Sequence, residues 1–239
     1  RILGLRALDP IGARPGPAER GTAVHHALEA FQKAQGTDPA HLLALLDHEL
    51  ERAGFSAERR AAYCARVESA AERFVAWAQA RAGFTAIFEQ KGEIDVGGAL
   101  LNCRADRIDI RPDGRAEIVD YKTGVPPTAK MVAEGFAPQL LLEAAMLERG
   151  GFPGLSARAD ALIYWRFAGT DARAIEVKTE QPAEEAAREA LAELAGLLAS
   201  YDRPGQAFLS RPHVQFLNDP GDYDHLARRQ EWADLGGRE

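Results

Sequence analysis

Cysteine is scarce in this chain. Only Cys64 and Cys103 occur among 239 residues, and their spacing suits neither a zinc ribbon nor a disulfide framework, so a reducing, cytoplasmic setting is the default expectation. Two thiolates are also too few for a four-cysteine iron–sulfur cluster within this chain. No apolar run approaches the ~20 residues needed to span a bilayer, no signal-peptide pattern opens the sequence, and no membrane partner is expected. Positive charge is in deficit as well. The formal net charge is -7, which argues against a free-standing nucleic-acid-binding module. It leaves room for an enzyme that touches a polyanion over a short cleft while a larger partner supplies the electrostatic grip. Internal repeats and low-complexity tracts are absent. The first residue is Arg1 rather than Met, which reads as a piece of a longer polypeptide.

What is present is an ordinary globular composition, 46% hydrophobic and 27% charged, with length enough for a sizeable core. Residues 1–20, rich in Pro, Gly and Arg, read as an extended lead-in to a single domain over 21–239. From Thr22 to Gln35 the pattern turns helical, with Val24, Ala27, Leu28 and Phe31 at i, i+3, i+4, i+7. Two more helices are predicted at 39–53 and 57–82. Three β-like runs follow at 85–96, 99–110 and 115–122, broken by Gly97-Gly98 and by Arg111-Pro112-Asp113-Gly114. A helix at 134–149 is apolar almost all round, as befits a buried crossover, and Pro138 is placed in its first turn. Strands at 160–167 and 173–177 and a helix at 182–200 complete the order. The first three strands form an antiparallel meander, and a right-handed crossover brings the fourth alongside it.

Pro112-Asp113-Gly114 suits a three-residue hairpin loop, proline starting a type I turn and glycine taking the left-handed position after it. Arg111 then pairs with Arg115, so Asp106 falls opposite Asp120, and period-two alternation puts Lys122 on the Asp120 face. Opposed residues have Cβ atoms about 4.5–5.5 Å apart. Two carboxylates that close repel unless a cation sits between them. Hard cations such as Mg²⁺ prefer carboxylate oxygens and keep several waters. Such an ion can polarise a phosphodiester, while a lysine orients the attacking water or offsets developing negative charge. On the first helix, His25 lies about 100° from Val24, at the border of the apolar stripe, and His26 about 200° away, facing solvent. His25 is therefore the histidine that can reach the sheet. Arg104 shares the Asp106 face by alternation and is a candidate phosphate contact. Arg107 and Asp109 point to the other face, Lys130 is a solvated lysine or a backbone contact, and Trp77 and Trp165 are expected in the core.

Taken in order, Gly21-x-x-x-His25, Cys103-Arg104-Ala105-Asp106-Arg107-Ile108-Asp109, Asp120-Tyr121-Lys122-Thr123-Gly124 and Gln139-x-x-x-Glu143 resemble the RecB-type branch of the PD-(D/E)xK nucleases. Within it the chain is most similar to AddB-type C-terminal nuclease domains, to which the lead-in Leu8-Asp9-Pro10-Ile11 and the tail Asp224–Arg228 also correspond. The resemblance implies an α/β fold with a restriction-endonuclease-like core: helix, three-stranded antiparallel meander, crossover helix and further strand, with extra helices inserted after the first. It implies a DNA exonuclease using Mg²⁺ or Mn²⁺ in recombinational repair, partnered by an AddA-like helicase–nuclease subunit and the rest of its own subunit. His25, Asp106, Asp120 and the Tyr121 carbonyl would ligate the metal, Lys122 would be the catalytic lysine and Gln139 would join Asp106, Asp120 and Lys122 in the catalytic set. The sequence departs from the family pattern at Glu143, where a tyrosine is usual, and in lacking the cysteines that hold an iron–sulfur cluster in several relatives. Two alternatives stay open: a catalytically silent DNA-binding or scaffolding module, and a Cas4-like exonuclease without the cluster.

Overall fold

The computed structural model describes residues 14–207. Arg14–Leu198 form one compact unit, and the segments Arg1–Ala13 and Ala199–Glu239 group as a second, of which only 199–207 are described. The motifs at Leu8–Ile11 and Asp224–Arg228, and Trp232, lie outside the described residues.

Three helices come first: α1 (Pro17–Lys33), α2 (Pro39–Arg52) and α3 (Ala57–Gln79). Helix α1 begins earlier than its apolar periodicity suggests, so the last four residues of the expected extended lead-in are helical. Pro17 and Pro39 each occupy the first turn, where a missing N–H costs nothing. The Glu19 carboxylate reaches back to accept the Gly16 N–H at 2.7 Å, closing the α1 terminus. Leu42, Leu46 and Leu50 of α2 recur every fourth residue and are fully buried in one core cluster with Phe31 of α1 and Phe74 of α3.

A five-stranded sheet follows in the order β1 (Thr85–Val96), β2 (Ala99–Ile110), β3 (Ala116–Lys122), β4 (Ala159–Arg166) and β5 (Arg173–Glu176). The first three strands form an antiparallel meander, β4 pairs parallel to β3, and β5 is an antiparallel edge. Between β3 and β4 the chain makes α4 (Ala129–Ala133) and α5 (Gln139–Glu148), and it closes with α6 (Ala183–Tyr201). The helix expected over 134–149 is thus shorter, α5 alone, and α4 is a separate helix ahead of that span. Gly135, at φ +75°, caps α4, and Pro138 sits outside α5 as its N-cap rather than in its first turn. Among the described residues no helix is long and apolar enough to cross a membrane.

Strand alternation splits the core into two layers. Val119, Tyr121, Ile163 and Trp165 face α1–α3, while Ala116, Ile118, Leu162 and Tyr164 face α5 and α6. Trp165 meets Phe74 edge to face at 5.0 Å between centroids, and Trp77 packs beside both, as expected of core tryptophans.

One polar network crosses the α1–α3 layer. Arg107, 3% exposed, donates through Nε to Asp109 Oδ1 at 2.7 Å and through Nη1 to Gln32 Oε1 at 2.7 Å. The Tyr121 hydroxyl donates to the same Gln32 oxygen at 2.8 Å. The network ties β2 and β3 to α1, the helix that carries His25. Removing one partner of a buried pair strands the other's charge. Arg107→Ala should therefore destabilise the protein by about 3–5 kcal/mol in urea unfolding. A loss below about 1 kcal/mol, typical of surface ion pairs, would contradict that reading.

Candidate active site

The β2–β3 hairpin has the expected turn. Gly114 adopts φ +81°, its N–H donates to the Arg111 carbonyl at 2.9 Å, and the Arg111 N–H donates to the Arg115 carbonyl at 2.8 Å. From there Ile110 pairs with Ala116, Ile108 with Ile118 and Arg107 with Val119, the register read from the turn. The ladder ends at that last pair, one step before Asp106 and Asp120. Hydrogen-bonded pairs alternate along an antiparallel ladder, so a continued ladder would have Ala105 and Tyr121 exchange both of their bonds. Instead the Tyr121 N–H donates to Asp106 Oδ2 at 2.8 Å, and the Tyr121 carbonyl accepts from His25 Nε2 at 2.9 Å.

His25 stands at the edge of the buried stripe of α1, half-buried, and His26 is exposed beside Glu49. The His25 Nδ1 lies 3.2 Å from Asp106 Oδ1. A carbonyl only accepts, so in the bond to Tyr121 it is Nε2 that donates. Burial by itself would lower the imidazole pKa. The hydrogen bond and charge of Asp106, with the charge of Asp120, override it and raise the value above the ordinary one. His25 thus bridges two groups that the resemblance assigns to a metal.

On the α5 side of the sheet, Lys122 Nζ sits 3.0 Å from Asp120 Oδ1 and 2.8 Å from Oδ2. Gln139, first residue of α5, donates through Nε2 to Asp120 Oδ1 at 2.8 Å and to Glu143 Oε1 at 3.1 Å, while its Oε1 lies 3.4 Å from Lys122 Nζ. The amide is thereby fixed in one orientation, its NH₂ toward the two acids and its oxygen toward the ammonium. Burial and the neighbouring charge of Asp106 raise the Asp120 pKa against the pull of Lys122. Glu143 is 2% exposed. Burial pushes its carboxyl up to about 8, the Gln139 hydrogen bond opposing and the charges of Asp120 and Asp106 reinforcing the shift.

Glu89 is an acid that the motif reading did not single out. It takes φ +51° within β1, and one oxygen or ring nitrogen from each of His25, Glu89 and Asp106 falls within 4.8 Å of the others. Gly97 and Gly98, at φ +63° and +86°, make a two-residue turn pairing Val96 with Ala99, and this register carries Glu89 opposite Asp106. The signal was therefore in the second hairpin of the meander. Burial, then the charges of Asp106 and Glu29, raise the Glu89 pKa, with Arg104 opposing. Arg104 is exposed and donates to Glu89 Oε2 at 3.3 Å. Alternation slips between the two ends of this segment: Ala105 and Ile108 both face the α5 layer, while Arg107 reaches Gln32 of α1. Lys130 is exposed beside Glu134.

Of the residues singled out in the sequence, His25, Asp106 and the Tyr121 carbonyl are in direct contact, and Asp120, Lys122 and Gln139 form a second group joined to them through β3. The donor set fits a hard divalent cation: carboxylates close enough that Asp106 raises the pKa of Asp120 and Glu89, a backbone carbonyl and an imidazole. Residues 1–212 match the family described as the PD-(D/E)XK nuclease superfamily, and the chain belongs to it. It is 30% identical over 169 residues to an uncharacterized protein of Rickettsia conorii and 29% identical over 167 residues to one of Rickettsia typhi, each match covering 64% of this chain. The chain spans about a fifth of these curated relatives, 20% and 19% of their lengths. The crystal structure of SSO0001 aligns at 16% identity over 74% of either chain with a TM-score of 0.31, too loose an overlay to bear on the site.

The Glu143 shift carries a stability consequence. Unfolded, the carboxyl ionises near 4.5, and folded near 8. Between those values the native state binds more protons, so the group's contribution is full below the lower pKa and is lost as pH rises through the upper one. In chelator, the melting temperature of the parent relative to Glu143→Gln should fall as pH goes from about 5 to about 8. A difference that stays constant across that range would show that Glu143 does not titrate there.

Proposed function

We propose, with membership of the nuclease superfamily as the premise, that this chain is a metal-dependent deoxyribonuclease that hydrolyses phosphodiester bonds with Mg²⁺ or Mn²⁺. The observation that carries the reading is the meeting of His25, Asp106 and the Tyr121 carbonyl at the point where the β2–β3 ladder stops. Asp120, Lys122 and Gln139 stand beside them. His25, Asp106, Asp120 and the Tyr121 carbonyl would hold the ion, with Glu89 as a further carboxylate. When bound, such an ion polarises the phosphate and acidifies a water.

The chain's own groups do the rest. Asp106 keeps one oxygen on the Tyr121 amide and so keeps that carbonyl aimed at His25. Gln139 holds the Asp120 carboxylate by Oδ1. Lys122, half-buried beside Asp120, supplies an ammonium that can orient the attacking water or offset charge growing on the phosphate. Glu143, uncharged near neutral pH, adds no further repulsion to substrate phosphates.

At a finer level the reading is an exonuclease that trims DNA ends for recombinational repair within a helicase–nuclease of the AddAB kind. An AddA-like subunit and the remainder of the nuclease's own subunit would be its partners. Supporting this are the ordered motifs, the relatives of which the chain spans about a fifth, and a net charge of -7 that favours a partner supplying much of the grip on DNA.

The test is cleavage of single- and double-stranded DNA with and without divalent metal, comparing the parent with Lys122→Ala and Asp120→Ala. Each variant should lose roughly 100- to 1000-fold in kcat, the scale of a lost electrostatic stabiliser. Variants as active as the parent would sink the mechanism. A parent that binds DNA but cuts nothing with either metal would point instead to a scaffolding module.

A further inference from the structure

Beyond the acidic centre, one place gathers arginines that no acid among the described residues neutralises. Most arginines of the described residues are paired: Arg60 with Asp47 and Glu51, Arg81 with Glu117, Arg107 with Asp109, Arg188 with Glu148. Arg20 of α1 and Arg59 and Arg66 of α3 have no carboxylate within ion-pair distance among the described residues. They frame a hollow of ≈ 210 Å³ whose floor is Phe55 and Tyr63.

The rings hold the cations in place. The guanidinium carbons of Arg20 and Arg66 lie 5.3 and 4.9 Å from the Tyr63 centroid, and that of Arg59 lies 4.8 Å from the Phe55 centroid. Tyr63 and Phe55 are themselves 8% and 6% exposed, so they offer no open face on which a base could stack. What the hollow presents is guanidinium edges. A guanidinium over an aromatic ring loses little freedom when its N–H edge takes up a phosphate, and the planar fork matches two phosphate oxygens at once. Arg59 is also anchored by donating from Nη2 to the Pro15 carbonyl at 3.0 Å.

Helix α1 links the hollow to the acidic centre, Arg20 lying five residues before His25. Gly21, next after Arg20 and one turn before His25, comes so near Thr123 that a Cβ on it would lie 3.7 Å from the threonine hydroxyl, and Thr123 directly follows Lys122. Arg59 and Arg66 are two helical turns apart, about 10 Å along α3, which matches about three nucleotides of stacked strand at ~3.4 Å each.

We propose that Arg20, Arg59 and Arg66 form a phosphate-binding track that holds the sugar–phosphate backbone of a DNA strand running to or from the Asp106–Asp120 centre. The proposal rests on the nuclease reading. The track restores locally the positive charge that a chain of net charge -7 lacks, and it does so without base recognition, so it is indifferent to sequence.

The test uses the full chain carrying Lys122→Ala, so that bound DNA is not consumed, and a fluorescein-labelled oligothymidylate whose anisotropy is followed across a salt series. Adding Arg59→Ser and Arg66→Ser, both on exposed side chains, should raise Kd roughly tenfold at low salt. It should also flatten the slope of log Kd against log salt by about 1.4, or about 0.7 for each lost single-strand phosphate contact. On the catalytically intact background the same pair should raise KM and leave kcat within twofold. An unchanged Kd and slope, with the intact chain still cutting DNA, overturns the track and leaves the nuclease reading standing. A chain that neither binds nor cuts DNA overturns both.

Discussion

Where the β2–β3 ladder stops, the carboxylate of Asp106 takes the amide hydrogen of Tyr121 that a strand partner would otherwise take. The rest of the site depends on that exchange. With its N–H satisfied by a side chain, Tyr121 can leave the ladder without burying an unpaired donor, a burial that would cost about 1–3 kcal/mol. Its carbonyl is then free to meet His25 from the helix layer. The Tyr121 side chain points into the same helix layer, its ring edge-on to those of His25 and Phe74, and its hydroxyl reaches Gln32 of the Arg107 network. One residue therefore couples the site to α1 and to the core below it.

The electrostatics follow from this geometry. Asp106, Asp120, Glu89 and Glu143 come from three strands and a helix into one region, and burial combined with mutual repulsion raises the pKa of Asp120, Glu89 and Glu143. Three positive or polar groups soften the crowding: His25 on Asp106, Lys122 on Asp120 and Arg104 on Glu89. Burial pushes the Glu143 carboxyl up to about 8, and by receiving Gln139 it keeps the amide turned so that Asp120 is also served. The buried acid at a position where the family usually has tyrosine thus still organises the neighbouring glutamine.

Much of this was legible in the chain itself. The Pro112-Asp113-Gly114 loop gave the β2–β3 register, because turn length and a glycine at positive φ leave one pairing, and the 100° spacing on α1 separated His25 from His26. Glu89 escaped for a physical reason. A strand residue at positive φ breaks the alternation on which face assignment relies, and seeing it required carrying the Gly97-Gly98 register eight residues back from the turn. Helix α5 was drawn too long because the apolar character of Leu140–Leu147 overshadowed Gly135, whose left-handed backbone ends α4 and makes a turn before Pro138. The start of α1 was missed because Pro15, Gly16 and Pro17 read as coil, whereas a proline in the first turn with Glu19 capping the end is a stable beginning. The Arg20, Arg59 and Arg66 hollow lay beyond sequence reasoning, since only the packing of α1 on α3 brings those side chains together.

The central claim is that the ladder's end, where His25, Asp106 and the Tyr121 carbonyl meet, is a site for a divalent cation. Anomalous scattering from crystals soaked in Mn²⁺ tests it most directly. The account predicts one strong peak within reach of His25, Asp106, Asp120 and the Tyr121 carbonyl. A peak elsewhere, or none at saturating Mn²⁺, would contradict it.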